Sequence, residues 1–224
     1  MSHNRFLLLM RTIRFDDINS RSERSKYDNI APTRELFESF IAKCRANYQV
    51  GENVTIDEML ESFRERCKFR MYIANKPVKY GIKVYALCDS KNFYTSILEI
   101  YPGKQPNGAH KYDNTASAVG KRLSQDTLNT GRTITADNYF TSIPLADEMT
   151  LRKNNREIPP FFLDIKQRPK PSSIFGFHKS KVLVSYVQNK KNKKNVLMIS
   201  TLHNDDQIDP TTRTNAKPEI ITFL

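Results

Sequence analysis

Two aspartates each stand directly after a short β-prone apolar stretch. Asp57 lies in Thr55-Ile56-Asp57-Glu58, and Asp137 follows Thr133-Ile134-Thr135-Ala136. A carboxylate at a strand end is well placed to hold a divalent cation, and magnesium and manganese favour oxygen ligands of this kind. The two side chains serve one ion site only if the fold brings their strands together. Acid-held metal pairs cut phosphodiesters by stabilising both the attacking and the leaving oxygen. The plainer reading is that each aspartate caps a turn or a helix.

The charge balance suits a polyanionic substrate. The chain of 224 residues has a formal charge of +12 and a pI near 9.6. Such a surface binds nucleic acid through phosphate contacts and counterion release. Arg64, Arg66, Lys68, Arg70, Lys76, Lys79 and Lys83 follow Asp57 closely. They read equally well as an ordinary solvated surface. The lysine-rich stretch from Gln188 to Asn195 reads as an exposed hairpin tip, with phosphate contact as the second reading.

Several classes are excluded. The seven glycines include no G-x-x-x-x-G-K-[ST] pattern, so no phosphate-cradling loop of that type is present. Cys44, Cys67 and Cys88 are widely spaced and form no C-x-x-C pair. A zinc site from this chain alone is therefore not expected, and reduced thiols are the simplest state. Phe6-Leu7-Leu8-Leu9-Met10 is too short for a signal peptide or a membrane span and is expected to be a buried piece of helix.

The elements that must position the aspartates are legible. Residues 11 to 32 read as an extended polar connector. Thr33 then caps an amphipathic helix with Leu36, Phe37, Phe40, Ile41, Cys44 and Tyr48 on its buried stripe. Val54 to Ile56 is a short strand. Val78 to Cys88 alternates like a half-buried strand and forms a hairpin with Phe93 to Ile100 across Asp89-Ser90-Lys91-Asn92. A loop over 102 to 114 leads to a helix capped by Thr115. Thr133 to Ala136 is the next strand, and Ser142 caps a helix with Pro144 in its first turn and Leu145, Ala146 and Met149 inward. Residues 164 to 180 read as irregular. Val182 to Val187 and Val196 to Ser200 are strands, 204 to 216 is polar loop, and Ile220 to Leu224 is a final β-like run.

At this point longer stretches become recognisable. Arg14-Phe15-Asp16-Asp17, Phe63-Arg64-Glu65-Arg66-Cys67, Asn75-Lys76-Pro77-Val78-Lys79-Tyr80-Gly81-Ile82-Lys83, Asp137-Asn138-Tyr139-Phe140-Thr141-Ser142-Ile143-Pro144-Leu145-Ala146 and Arg152-Lys153-Asn154-Asn155-Arg156-Glu157-Ile158-Pro159 resemble the piggyBac transposases, as do Thr55 to Glu58 and Lys217-Pro218. The resemblance runs over nearly the whole chain. It implies an α/β fold: an RNase H-like mixed sheet flanked by helices, with a β-rich insertion, and incomplete. The implied organisation is a helical and connector region over 1–50, the core over 51–160 and the β-rich insertion over 161–224. It further implies a DDE/D transposase that works in the nucleus, on DNA at TTAA sites, through hairpin intermediates, with Mg2+ or Mn2+. Asp57 and Asp137 take the places of the first two catalytic, metal-holding aspartates. Apart from the resemblance, Arg64, Arg66, Lys68, Lys76, Lys79 and Lys83 are the candidate nucleic-acid contacts by their charge and their nearness to Asp57 in sequence.

The departures from the family pattern are specific. The third aspartate's Lys-Gly-Gly-Val-Asp type motif and the cysteine-rich module do not occur in the sequence. Glu148-Met149-Thr150-Leu151 runs straight into Arg152, where family members carry a further core strand. Phe161 stands where a glutamate is usual. Asp205, Asp206, Asp209 and Glu219 are the late acids, and a solvated role is expected for them. The expectation is a transposon-derived remnant whose ancestral catalysis is lost. The alternative is a domesticated, non-catalytic DNA- or chromatin-binding protein.

Overall fold

The computed structural model describes residues 1–137, 139–140, 145, 158–164, 166, 168–169, 171–178, 181–187, 195–208 and 217–218. The chain divides into two compact units. One comprises Met1–Gly51 and Asp57–Asn114; the other comprises Glu52–Ile56 and Thr115–Leu224.

The first unit begins with helix α1, His3–Thr12, capped by the Ser2 hydroxyl, which accepts from the Arg5 N–H. The helix forms where expected, but its apolar run is not buried: Phe6, Leu7, Leu8, Leu9 and Met10 are all exposed. Five consecutive residues wrap fully round a helix, so no single core can cover them all. The expected connector is interrupted by helix α2, Ile18–Arg24. Asp17 caps it by accepting from Asn19 N–H at 2.9 Å, and Asp16 grips both Arg21 and Arg24. Acids just before a helix complement its unpaired first N–H groups, a signal that the polar composition concealed.

Helix α3, Arg34–Asn47, starts after Thr33 as expected. Its stripe is only partly covered: Ile41 is buried, whereas Leu36 and Phe40 are about half exposed. They line a groove of about 720 Å³ shared with Phe15, Phe37, Phe63 and Phe69. Tyr48 lies beyond the helix end, its ring 4.3 Å from that of Tyr94. Asp28 is the buried polar tie of this region. It pairs with Arg34 and accepts from Gln105 Nε2 and Ile30 N–H. Burial pushes its carboxyl up, but the Arg34, Gln105 and Ile30 donors outweigh that and hold it at about 2.

Strand β1, Asn53–Ser62, continues well past Asp57, so the expected three-residue strand is a long one. Strands β2 (Met71–Tyr72), β3 (Tyr80–Asp89) and β4 (Thr95–Ile100) follow. β3 and β4 form the expected hairpin, with Val84 opposite Ile100 and Ala86 opposite Leu98. Together with β5 (Thr133–Ala136) the sheet runs β2-β3-β1-β5, and β4 also pairs with β3. β3 is not half-buried as its alternation suggests. Val84, Tyr85, Ala86 and Leu87 are all buried, because an interior strand has neighbours on both edges and cover on both faces. A Cβ on Gly81 would stand 2.2 Å from the Glu61 carbonyl oxygen, so only glycine lets β3 approach β1 this closely. The hairpin turn is tied by Asp89, which accepts from Gly51, Lys91 and Asn92 N–H and from the Tyr48 hydroxyl. The Gly51 and Asn92 N–H groups lead in drawing its carboxyl down to about 2. Phe93 is left-handed at φ 58°, which delays β4 to Thr95.

In the second unit, residues 53–56 of β1 pair in parallel with β5. Helix α4, Ala116–Ser124, is capped by Thr115 as expected and buries Val119 and Leu123. Strands β6 (Ser172–His178), β7 (Lys181–Val187) and β8 (Asn195–Ser200) form an antiparallel sheet around Val182, Val184, Phe175 and Met198. β6 falls where an irregular segment was expected. The flanking prolines and lysines mask a run whose backbone pairs with β7 along its whole length, from Ser172–Val187 to His178–Lys181. Arg168 stitches this sheet internally, donating to Ser185 Oγ at 2.7 Å, Ser185 O at 2.8 Å and Ser172 O at 3.1 Å.

Some expectations fall outside the described residues: the helix from Ser142, apart from helical and buried Leu145, the junction from Met149 to Arg152, most of the Arg152–Pro159 motif, the lysine run Gln188–Lys194, Asp209, Glu219 and the run Ile220–Leu224.

Candidate metal centre

The centre begins with a register. Asn53 pairs with Thr133, Val54 with Ile134, Thr55 with Thr135 and Ile56 with Ala136, all in parallel. Val54 and Ile56 are 0% and 1% exposed. A slip by one residue would turn them out of the core, so their burial pins the register. The residue after Ile56 is Asp57 and the residue after Ala136 is Asp137. Chain geometry therefore brings the two aspartates out side by side.

Local hydrogen bonds aim them. Asp57 Oδ1 accepts from the Glu58 N–H at 2.7 Å. Asp137 Oδ1 accepts from Tyr139 N–H at 3.0 Å and from Phe140 N–H at 3.4 Å. The Phe140 ring is fully buried and anchors that turn. Both carboxylates remain exposed, and each has a further oxygen beyond Oδ1. The turn-capping role considered for these aspartates holds for Asp137 and coexists with convergence, whereas Asp57 lies inside β1 and caps neither a turn nor a helix.

The structure adds a third carboxylate. Asp57, Glu58 and Asp137 each present one ligand atom, and these atoms lie within 4.8 Å of one another. Glu58 was not singled out from sequence, because adjacent strand residues normally point to opposite faces. The available signal was its place next to Asp57 in the Thr55–Glu58 motif. Its Oε1 lies 3.4 Å from Lys76 Nζ, and Lys76 Nζ also reaches the Glu58 carbonyl oxygen at 3.4 Å. Its Oε2 is sealed from solvent with no hydrogen-bond partner among the described residues. A buried, unpaired carboxylate oxygen beside two further carboxylates is electrostatically costly, and a bound cation relieves that cost. The all-oxygen donor set fits Mg2+ or Mn2+.

The basic residues are distributed unevenly. Arg64, Arg66, Lys68, Arg70 and Lys79 are exposed, and Lys76 is half-buried against Glu58. Lys83 is 8% exposed, with its ammonium 4.9 Å from the centre of the Tyr85 ring. Asp205 and Asp206 are exposed and do not join the carboxylate cluster.

A family model described as Transposase IS4 matches residues 1–223. The chain belongs to this transposase family, of piggyBac type. The solved cryo-EM structure of a piggyBac transposase synaptic complex with hairpin DNA superposes with a TM-score of 0.84 at 36% identity, over 100% of this chain and 48% of that one. The chain thus spans about half the length of that transposase. The mixed α/β architecture with its mixed sheet is the fold of the matched half. DDE-type transposases use divalent metal ions, and Asp57, Glu58 and Asp137 form an acidic cluster of the kind that holds one. Among the described residues, no helix of this transposase-family chain is long and apolar enough to cross a membrane.

Proposed function

We propose that this chain is a transposon-derived DDE/D transposase core, RNase H-like in type, that binds DNA and a divalent cation but does not by itself complete cut-and-paste transposition at TTAA sites. The carrying observation is the convergence of Asp57, Glu58 and Asp137 within 4.8 Å, set by the parallel pairing of Ile56 with Ala136. When bound, Mg2+ or Mn2+ supplies charge neutralisation at phosphate and activation of an attacking oxygen. Asp57 and Asp137 would hold it, with Glu58 beside them. The chain's own contribution is orientation: backbone N–H groups fix both aspartates, and Lys76 offsets part of the Glu58 charge. The loss of catalysis is supported by the ligand set. Among the described residues no third aspartate joins the cluster, and the exposed Asp205 and Asp206 stand apart from it. A nuclear location is part of the same proposal, because the proposed substrate is chromosomal DNA.

Manganese titration of the purified chain, followed by incubation with TTAA-containing duplex and hairpin DNA, tests this reading. Cation-dependent stabilisation and DNA binding without strand cleavage or joining are expected. Cleavage or joining would overturn the loss of catalysis, and a cation with no effect would overturn the metal centre.

A second reading, a domesticated DNA- or chromatin-binding protein, is favoured by the exposed Arg64, Arg66, Lys68 and Lys79. It requires affinity that falls steeply with salt. Absence of binding to duplex DNA at low salt would end it.

A further inference from the structure

Tyr72 and Tyr80 are directly paired across β2 and β3, with ring centroids 4.9 Å apart. Both are large rings on the sheet's β2 edge, and both remain about half exposed, at 56% and 49%. Water-exposed aromatic pairs of this kind leave π-surface unused. The Arg70 guanidinium lies 5.6 Å from the Tyr80 ring centre, and its NH1 is held by the Arg64 and Glu65 carbonyl oxygens. Lys79, the residue before Tyr80, is exposed as well. The segment joining the two tyrosines carries Lys76, whose ammonium reaches Glu58 of the carboxylate cluster at 3.4 Å. One short hairpin therefore presents two adjacent, mutually tilted aromatic rings and cations on one element and contacts the acidic cluster with its connecting segment.

We propose that the Tyr72–Tyr80 pair, with Arg70 and Lys79, is a stacking platform for unpaired DNA bases next to the carboxylate cluster. Flat aromatic faces accept any base, while the neighbouring cations take the phosphates of the same strand. An acidic peptide would satisfy the cations but leave the rings without a matching flat partner. Duplex DNA keeps its bases stacked on each other, so the platform selects strands that are opened or single. The inference rests on the DNA-binding reading above and adds to it a preference for unpaired bases.

The test compares short oligonucleotides carrying 2-aminopurine, as single strands and as duplexes with or without a central unpaired segment, against the full chain and its variants. Stacking on tyrosine quenches 2-aminopurine, so the wild-type chain should bind the opened strands more tightly and quench the probe. Tyr72→Ala and Tyr80→Ala should each weaken binding to opened strands by about 5- to 100-fold, the worth of one base–aromatic stack, with little change for intact duplex. Tyr72→Phe and Tyr80→Phe should retain both affinity and quenching. Thermal melting of each variant, with Tyr72→Leu as a strand-compatible replacement without a ring, separates lost stacking from lost folding. Equal binding of opened and intact duplex, or unchanged quenching in folded Tyr→Leu and Tyr→Ala variants, overturns the platform while DNA binding stands. No binding of any DNA at low salt removes the DNA reading itself and the platform with it.

Discussion

Ile56 stands opposite Ala136 in parallel register, and on each strand the next residue is an aspartate. Two acids far apart in sequence become neighbours because their strands are hydrogen-bonded partners. The pair is then joined by Glu58, which alternation alone would send to the other face. The site is a consequence of strand pairing first and side-chain direction second.

The carboxylate cluster should behave oppositely with and without cation. Mn2+ at about 100-fold over its Kd should stabilise the wild-type chain by about 2.7 kcal/mol. Asp57→Asn combined with Asp137→Asn should abolish that stabilisation, and Glu58→Gln should reduce it. In EDTA, Glu58→Gln should melt at or above the wild-type temperature, because it neutralises an oxygen sealed without a partner. Identical Mn2+ shifts in all variants, read by thermal melting, would dismiss the site.

Asp28 should impose an acid limit on the first unit. Its carboxyl sits at about 2 when folded, against an ordinary value near 4 when unfolded. The folded pKa is the lower one. The stabilisation is therefore fully present above the unfolded value and lost as pH falls from about 4 through 2. Asp28→Asn should cost about 3 kcal/mol at neutral pH by leaving Arg34 without its buried partner. Denaturant melts of the variant should also show a shallower slope between those pH values, with the share that Asp89 contributes over the same range retained; an unchanged slope would assign it to Asp89 and other acids.

Gly81→Val should disrupt the sheet. Its first added carbon would lie 2.2 Å from the Glu61 carbonyl oxygen, a backbone atom that no rotamer change can move. A loss of about 2–3 kcal/mol is expected from such overpacking. A denaturation midpoint within error of wild type would show that β1 and β3 tolerate a wider spacing.

Arg168→Met should loosen the β6-β7-β8 sheet while leaving the carboxylate cluster intact. The guanidinium makes three hydrogen bonds to Ser185 and Ser172, and burial pulls its pKa down. Losing them should cost about 1.5–3 kcal/mol. Amide exchange should accelerate across β7; protection equal to wild type would reduce Arg168 to a bystander.

Arg64→Ala with Arg66→Ala should weaken duplex DNA binding and lower the log–log salt slope by up to about 1.8, as two phosphate contacts would. Lys83→Ala makes the contrast, because its ammonium is buried over Tyr85. It should alter stability and leave the salt slope in place. The opposite pattern in binding isotherms would move the phosphate contacts from the Arg64–Arg66 stretch to β3.

The sequence by itself determined the parts whose physics is local. Thr33 and Thr115 announce helices, Asp89-Ser90-Lys91-Asn92 announces a turn, and apolar runs before Asp57 and Asp137 announce strands, although only the one before Asp137 ends at its acid. The long motifs of the Asn75–Lys83 and Asp137–Ala146 stretches also carried the family. Local spacing does not encode what covers a residue. Phe6 to Met10 and Phe40 read as buried and are exposed, whereas Lys83 and Tyr85 read as the outer face of a strand and are buried. Burial depends on partners brought from elsewhere in the chain. β6 and α2 were hidden for a related reason: polar and proline-rich surroundings outweighed short pairing or capping signals in the composition. Only tertiary structure decided that Asp57 and Asp137 meet, since nothing in either motif names its neighbour. The same pairing brought Glu58 into the cluster, and the segment joining β2 to β3 set Lys76 against it, through distances that sequence separation conceals.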